Sequence, residues 1–490
     1  MVHFIAAGLY NLITAFIGII FYSSILDNST LPYGYWSALV LIVIIVLTSV
    51  LWYFFFSYQI LEDAIQIKKG ILFKKHLNLK FERVQNVNIK HPFYFWPIGL
   101  VTLKIDGAGS KKEEVSLAAL PLVAANAIRR TIQIKKGSLE QSDIEALDED
   151  ESESDSVLAS GERKFYTRSF ADLVIHGLTN NRAWLIVGAF VGFLQSTPFS
   201  ISDVLERLQL IVGSLISNQN VAFTVLLFTI ALVLTIVITA LFSVLGSIVA
   251  YYGFTLYRSD KSLMVHRGLI NKQEINMQKS RVQSIYFRQD WLDLVLGRAN
   301  VIYEQISHTE HDAGTVDNSK KILVPSARDY ELSELAQEVF AVPDIATLEF
   351  HAISKRYFYK HSMLWSIAYV SIVLAGIISG KITLIAFAIP WAIHVGLIYM
   401  TWKRAGVVLV DDFVIVRRGI IGIDYIIFPA YKLQVVEHVQ SILMRRRDLS
   451  NIIFHTASRT ATVRYLPTRF VHELMDYCLF SIESNNRSWM

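Results

Sequence analysis

Three short turns in this sequence carry cationic side chains immediately before a glycine: Lys68-Lys69-Gly70, His266-Arg267-Gly268 and Arg417-Arg418-Gly419. The first is reinforced by Lys74 and Lys75. Cations gathered at a turn can hold anions, such as the anionic headgroups of a membrane leaflet. Each basic residue near an anionic leaflet contributes roughly 1 kcal/mol. The run Arg445-Arg446-Arg447 has the same character. A second reading stays open for all of these residues, because a polar turn also needs charge simply to be solvated.

A further basic position follows each glycine by thirteen residues, as Arg83, Arg281 and Lys432, with a glutamine two beyond it, as Gln85, Gln283 and Gln434. Such a pair can face a ligand, or it can hydrogen-bond a neighbouring loop and fix the fold. The second reading is preferred, because the position persists where the repeats otherwise diverge. The signature Gly70, Arg83, Gln85, Gly268, Arg281, Gln283, Gly419, Lys432 and Gln434 is therefore read as structural.

Catalytic chemistry has little to stand on. His308-Thr309-Glu310-His311-Asp312 has metal-ligand residue types, but it lies in a polar stretch with no helix to align them. The sequence holds no phosphate-binding Gly-x-x-x-x-Gly-Lys-Ser/Thr run and no His-Glu-x-x-His. The single cysteine, Cys478, excludes a disulfide framework and reads as a small apolar residue on the last helix. No enzyme activity, cofactor or metal site is expected.

The elements that position these residues recur with them. Alternating apolar positions around each glycine predict a β-hairpin. A following strand is expected to carry the basic residue and glutamine on one face, with Val84, Val282 and Leu433 turned to a core. Gly99 and Gly297 lie sixteen residues after the basic position, and Asp448 stands there in the third repeat, predicting a turn built differently. Each repeat then reaches a proline (Pro121, Pro325, Pro467) and a helix, over 122–132, 330–340 and 469–482.

The intervening sequence is strongly apolar. Of the 490 residues, 53% are hydrophobic, and the mean hydropathy is +0.40. Six runs approach the roughly 20 residues needed to cross a bilayer. They pair as 4–23 with 36–56, 183–199 with 221–251, and 363–379 with 382–402. The first is read as a retained span and not as a cleaved leader. None of the six buries an acidic or basic residue deep within it, which argues against ion-coupled transport. His394 and Gln195 are their notable polar groups. Residues 201–217 fit a helix on the outer interface or on the span bundle. The stretches 165–178 and, more weakly, 348–361 read as amphipathic run-ins to the following span.

Lysines and arginines flank the sides from which the repeats emerge, Arg163, Lys164, Arg168 and Arg182 among them. They are sparse in the loops on the other side, which predicts cytoplasmic repeats and termini at the plasma membrane. Net charge is +4 although nine acidic residues crowd 140–155, so the remaining chain is basic and suits an anionic surface. Residues 138–162 are too polar to fold and predict a disordered linker.

In the order of apolar pair, x-x-Gly turn, basic-hydrophobic-Gln and closing helix, the chain resembles the bacterial pleckstrin-homology-like (PH-like) domain of the membrane-flanked YdbS/YdbT-like group, in its three-unit form. That resemblance implies two near-orthogonal sheets capped by a helix. The fold expected is a multi-pass α-helical membrane protein with three cytoplasmic PH-like β domains. Its segments are span pair 4–57, PH-like domain 58–137, linker 138–162, run-in and span pair 163–251, PH-like domain 252–342, run-in and span pair 343–402, and PH-like domain 403–484. The function expected is a non-enzymatic scaffold that binds anionic lipid or protein at the cytoplasmic leaflet. Its partners would be the bilayer, anionic headgroups and a protein such as a smaller PH-like membrane protein, with no nucleic acid. The alternative is a transport or export component gated by these domains.

Overall fold

The structure is a computed structural model that describes residues 43–142, 163–180, 221–305, 321–380 and 387–484, with short breaks at 44–46, 48–49, 52–53, 62, 71–73, 82–83 and 108–114. The span readings at 4–23 and 183–199, the outer 201–217 helix, Gln195, the histidine-rich 308–312 run, Arg182 and Arg83 lie outside those residues. So do all but the first few residues of the acidic linker.

Each repeat builds a three-stranded hairpin sheet and then a second sheet of three strands. The first contains β1 (Ser57–Ile60), β2 (Ala64–Lys69) and β3 (Lys75–Lys80), then β4 (Val84–His91), β5 (Leu100–Gly107) and β6 (Val115–Pro121). Helix α1 (Leu122–Ser142) follows. A short strand β7 (Arg163–Thr167) and helix α2 (Phe170–Thr179) lead to the long apolar α3 (Val221–Tyr251). The second repeat contains β8 (Thr255–Arg258), β9 (Ser262–Arg267) and β10 (Lys272–Gln278), then β11 (Ser284–Arg288), α4 (Trp291–Val295), β12 (Arg298–Glu304), β13 (Lys321–Arg328) and α5 (Asp329–Gln337). After β14 (His351–Ala352) come the apolar helices α6 (Arg356–Ile378) and α7 (Ala388–Arg404). The third repeat contains β15 (Gly406–Val410), β16 (Phe413–Arg418) and β17 (Asp424–Pro429), then β18 (Leu433–Val439), α8 (Ile442–Arg445), β19 (Leu449–Thr456), β20 (Thr460–Pro467) and α9 (Thr468–Ser484).

Among the described residues these strands form four sheets, with about 44% of the residues in helix and 38% in strand. The expectation of a multi-pass α-helical protein is therefore corrected. Among the described residues two helices are long and apolar enough to cross a membrane, ending α3 (Val233–Tyr251) and forming α6. The α-helical label left out the large share of strand, whose apolar residues serve β cores: β16 is Phe-Val-Ile-Val-Arg-Arg, and its Val414, Ile415 and Val416 are core residues.

Contacts divide the chain into two compact units, one containing the first repeat and the other containing the third repeat with most of the second. In the first unit, Ile65, Ile67, Leu79, Phe81, Val84 and Ile89 pack with Leu103, Leu117 and Ile128 of α1. Lys272–Glu274 of β10 pairs antiparallel with β4, so the second repeat's hairpin extends the first repeat's sheet. Helix α2 starts at a capping box, in which the Ser169 hydroxyl accepts from the Asp172 amide. It lies tightly on α3: Ser247 Oγ donates to the Leu173 carbonyl at 2.8 Å, and Ser243 Oγ donates to that of Gly177 at 2.6 Å. The 165–178 run-in is thus part strand and part helix.

In the second unit the seven strands run β13-β12-β11-β17-β16-β15-β14. Here again a hairpin extends the preceding repeat's sheet, with Ile285–Phe287 of β11 against Tyr425–Ile427 of β17. Val407, Val414, Phe428, Ile452, Phe454 and Leu474 form the core, joined by Cys478 on the buried face of α9. Burial pushes the Cys478 thiol up to about 12, so it stays protonated and inert. Val84, Val282 and Leu433 are buried, as alternation required.

Two local expectations are corrected. Arg281 and Lys432 lie in single 3-10 turns, Lys279–Arg281 and Ala430–Lys432, ahead of the strands. The third-repeat turn is not built differently, because Asp448 takes φ 51° where Gly99 has 66° and Gly297 has 60°. A short polar side chain tolerates that left-handed conformation.

Candidate functional site

Each basic turn ends in a tight reversal. Gly268 has φ 105°, and a Cβ there would lie 2.2 Å from the Asn271 carbonyl oxygen, so only glycine fits. In the first repeat, pairing of β2 with β3 sets Lys69 opposite Lys75 and Lys68 opposite His76, and Lys74 is exposed beside them. The sequence's four-lysine cluster is therefore brought to one hairpin end.

In the second repeat Arg267 is only 8% exposed. Its guanidinium lies over the Tyr251 ring at 5.2 Å and donates to Gln273 Oε1 at 3.3 Å. Burial lowers its pKa from the ordinary arginine value. Arg267 holds a turn to the end of α3 and is corrected as a surface contact.

The third repeat differs. Arg418 is exposed, and Arg417 is half-buried with its guanidinium 4.4 Å from the Phe350 ring. Arg417 Nε donates to the Arg404 carbonyl at 2.9 Å, and Arg404 Nη1 donates to the Ile421 and Gly422 carbonyls. These bonds seat the turn on the C-terminal end of α7. Between them opens a cleft of about 600 Å³, lined by Ile393, Leu397 and Met400 and by Lys403, Arg404 and Arg417.

A second cleft, of about 710 Å³, lies at the N-terminal end of α6. Its basic walls are Lys355, Arg356, Lys360 and Arg447, and Met363, Leu443 and Met444 supply apolar lining. Arg445, Arg446 and Arg447 are all exposed. Beside them Ile442 and Leu443 of α8 are 78% and 67% exposed. An apolar step next to three arginines matches a surface where acyl chain gives way to headgroup.

Helices α6 and α7 pack together, and Trp391 Nε1 donates to Ser366 Oγ at 2.9 Å. His394 lies between the rings of Trp365 (4.9 Å) and Tyr369 (6.1 Å). Sequence reasoning picked out Arg417 and Arg447. It missed Lys355, Arg356, Lys360, Lys403 and Arg404 as cleft residues, because all five belong to the lysines and arginines that flank the apolar runs. Their shared signal was position within a few residues of an apolar helix end.

The Gly–basic–Gln signature has a different use. Lys432 is 2% exposed, and its Nζ donates to the carbonyls of Ser280 and Val282, both at 2.6 Å. Those carbonyls flank Arg281, so the third repeat's signature residue ties down the second repeat's. Gln283 is fully buried, whereas Gln434 is exposed. Burial pulls Lys432 from 10.5 to about 8. Between those values the unfolded chain binds more protons than the folded one, so this contribution to stability rises with pH from about 8 to 10.5. Urea unfolding of the wild type and Lys432→Met across that window should diverge by up to about 3 kcal/mol. Parallel pH profiles would show that the ammonium is not desolvated.

Among the described residues no group of three or more His, Cys, Asp or Glu is placed to hold a metal ion. The family model of the bacterial PH domain matches residues 9–136, 212–328 and 365–479. Over 466 residues the chain is 22% identical to the UPF0699 transmembrane protein YdbT of Bacillus subtilis (strain 168), spanning 92% of this chain and 89% of that protein.

Proposed function

Because this chain belongs to the bacterial PH domain family, we propose that it is a non-catalytic, membrane-held protein that binds anionic lipid headgroups through the two basic clefts of its third repeat. One observation carries this reading. Both clefts pair basic side chains with apolar lining, and they lie at the N-terminal end of α6 and the C-terminal end of α7. In an antiparallel helix pair those are the same end. Apolar side chains such as Met363, Leu364 and Ile367 are exposed along α6, as lipid-facing residues must be. The relative's description as a transmembrane protein supports placement in a membrane. Basic residues around the helix ends favour the cytoplasmic leaflet of the plasma membrane. On this reading the PH-like repeats form a scaffold surface for a protein partner.

The test is lipid binding by the full chain in zwitterionic nanodiscs doped with phosphatidylglycerol or with more phosphatidylcholine, followed by native mass spectrometry. Retained phosphatidylglycerol is expected in excess. Lys360→Glu with Lys403→Glu should lower its apparent affinity roughly tenfold or more, since each cation contributes about 1 kcal/mol. Equal retention of both lipids would overturn the proposal.

A further inference from the structure

The two junctions between repeats share one register. At the first, Glu274 pairs with Ile89, and these are the sixth residues after Gly268 and after Arg83. At the second, Tyr425 pairs with Phe287, the sixth residues after Gly419 and after Arg281. In both, the hairpin's last strand closes the free edge of the preceding repeat's second sheet.

The same two edges are open at the ends of the series. Among the described residues β18 pairs with β19 alone, and β3 pairs with β2 alone. Exposure records the difference. At the register position Ile89 (0% exposed) and Phe287 (1%) are buried, where a strand pairs with the edge, whereas His438 is half-buried and Val435 of the same strand is 49% exposed. Val439 of β18 is likewise 43% exposed. An uncovered strand with apolar side chains is a template for another strand.

We propose that β18 of one chain pairs with β3 of a second copy, in the register of the internal junctions. His438 is the sixth residue after Lys432 and His76 the sixth after Gly70, so the two stand opposite one another. Lys75 then faces Val439, and Leu77 faces Glu437. The charges suit the pairing, since β3 is Lys-His-Leu-Asn-Leu-Lys while β18 carries Glu437 and no lysine or arginine. The interface is head-to-tail, so it builds a ring if the rotation closes and an open row if it does not.

Directly opposed antiparallel residues have Cα atoms about 4.5–5.5 Å apart, within disulfide reach. The experiment uses full-length chains in a Cys478→Ala background, one tagged and carrying His76→Cys, the other differently tagged and carrying His438→Cys. They are co-expressed, and the isolated membranes are oxidised. A disulfide-linked heterodimer is expected, and much less when Gln434→Cys replaces His438→Cys. Lys90→Cys with Gln273→Cys in one chain reports the first internal junction and should close within that chain. If this control closes and no heterodimer forms, the pairing is overturned. Equal linkage through Gln434→Cys would overturn the register, and linkage of His438→Cys to a different protein only would overturn the second copy as occupant.

Discussion

Replacing Glu304 with alanine is expected to destabilise the chain by about 3–5 kcal/mol, the usual cost of stranding the partners of a buried ion pair. Glu304, at the end of β12, is 1% exposed. Its carboxylate accepts from Arg459 Nε at 2.6 Å and Nη2 at 2.7 Å and lies 2.9 Å from Lys321 Nζ. The Arg459 guanidinium also stacks 3.9 Å from the centre of the Tyr286 ring, whose hydroxyl donates to Asp424 at 2.7 Å. One carboxylate therefore holds together two strands of the second repeat and a turn of the third. Denaturant unfolding in detergent, followed by tryptophan fluorescence, measures the loss. Arg469→Ala, which breaks an exposed pair with Glu473, should cost under about 0.5 kcal/mol and serves as the control. Burial alone would raise the pKa of Glu304, but bonding to Arg459 and the charge of Lys321 hold it below the ordinary carboxylate value of 4.5. Its contribution is complete above that value and is lost as pH falls through the lower folded pKa. The alanine variant should lack this part of the acid transition. A loss below about 1 kcal/mol would mean that water already competes for the site.

Arg168→Ala should cost a comparable amount. Arg168 Nη1 lies 2.7 Å from Glu331 Oε2, and their side chains are 2% and 7% exposed. Glu331 also accepts the Arg328 amide at the start of α5, and neighbouring Tyr166 hydrogen-bonds Glu334 of that helix. The bonds fasten β7, just ahead of α2, to the helix that closes the second repeat. Arg168→Lys keeps the charge without the planar guanidinium and should recover only part of the loss. Limited proteolysis around 163–168 gives an independent readout, because a released strand is cut faster. Unchanged stability and cleavage in Arg168→Ala would sink this account.

Local turns were readable in the sequence, and long-range partners were not. Gly70, Gly268 and Gly419, with a basic residue and a glutamine at fixed distances, revealed the repeat because each unit needs the same local turn. Val84, Val282 and Leu433 were legible as core for the same local reason. Arg168 was read as a charge flanking a membrane span, since position along the chain says nothing of a glutamate on α5, 163 residues away. The multi-pass α-helical label failed for a different reason: it weighted the long apolar runs and not the alternating strands, which make up about 38% of the described residues. The clefts were half legible. Arg417 and Arg447 stood out as parts of basic runs, whereas Lys355, Arg356, Lys360, Lys403 and Arg404 gained meaning only when helix ends brought them together. Lys432 stood in the sequence as the counterpart of Arg281, yet it bonds the carbonyls on either side of that arginine.

The pairing of β4 with β10 has a consequence for how the protein is made. His91 finds its strand partner only at Lys272, so the edge of β4 leaves the ribosome about 180 residues before the strand that covers it. At roughly 5–20 residues per second, that edge stays bare for about 10–40 s. Translation in between produces the long apolar α3, which must meet its own surroundings first. The first repeat is thus born unfinished, and any factor that shields a nascent sheet edge has its longest opportunity there.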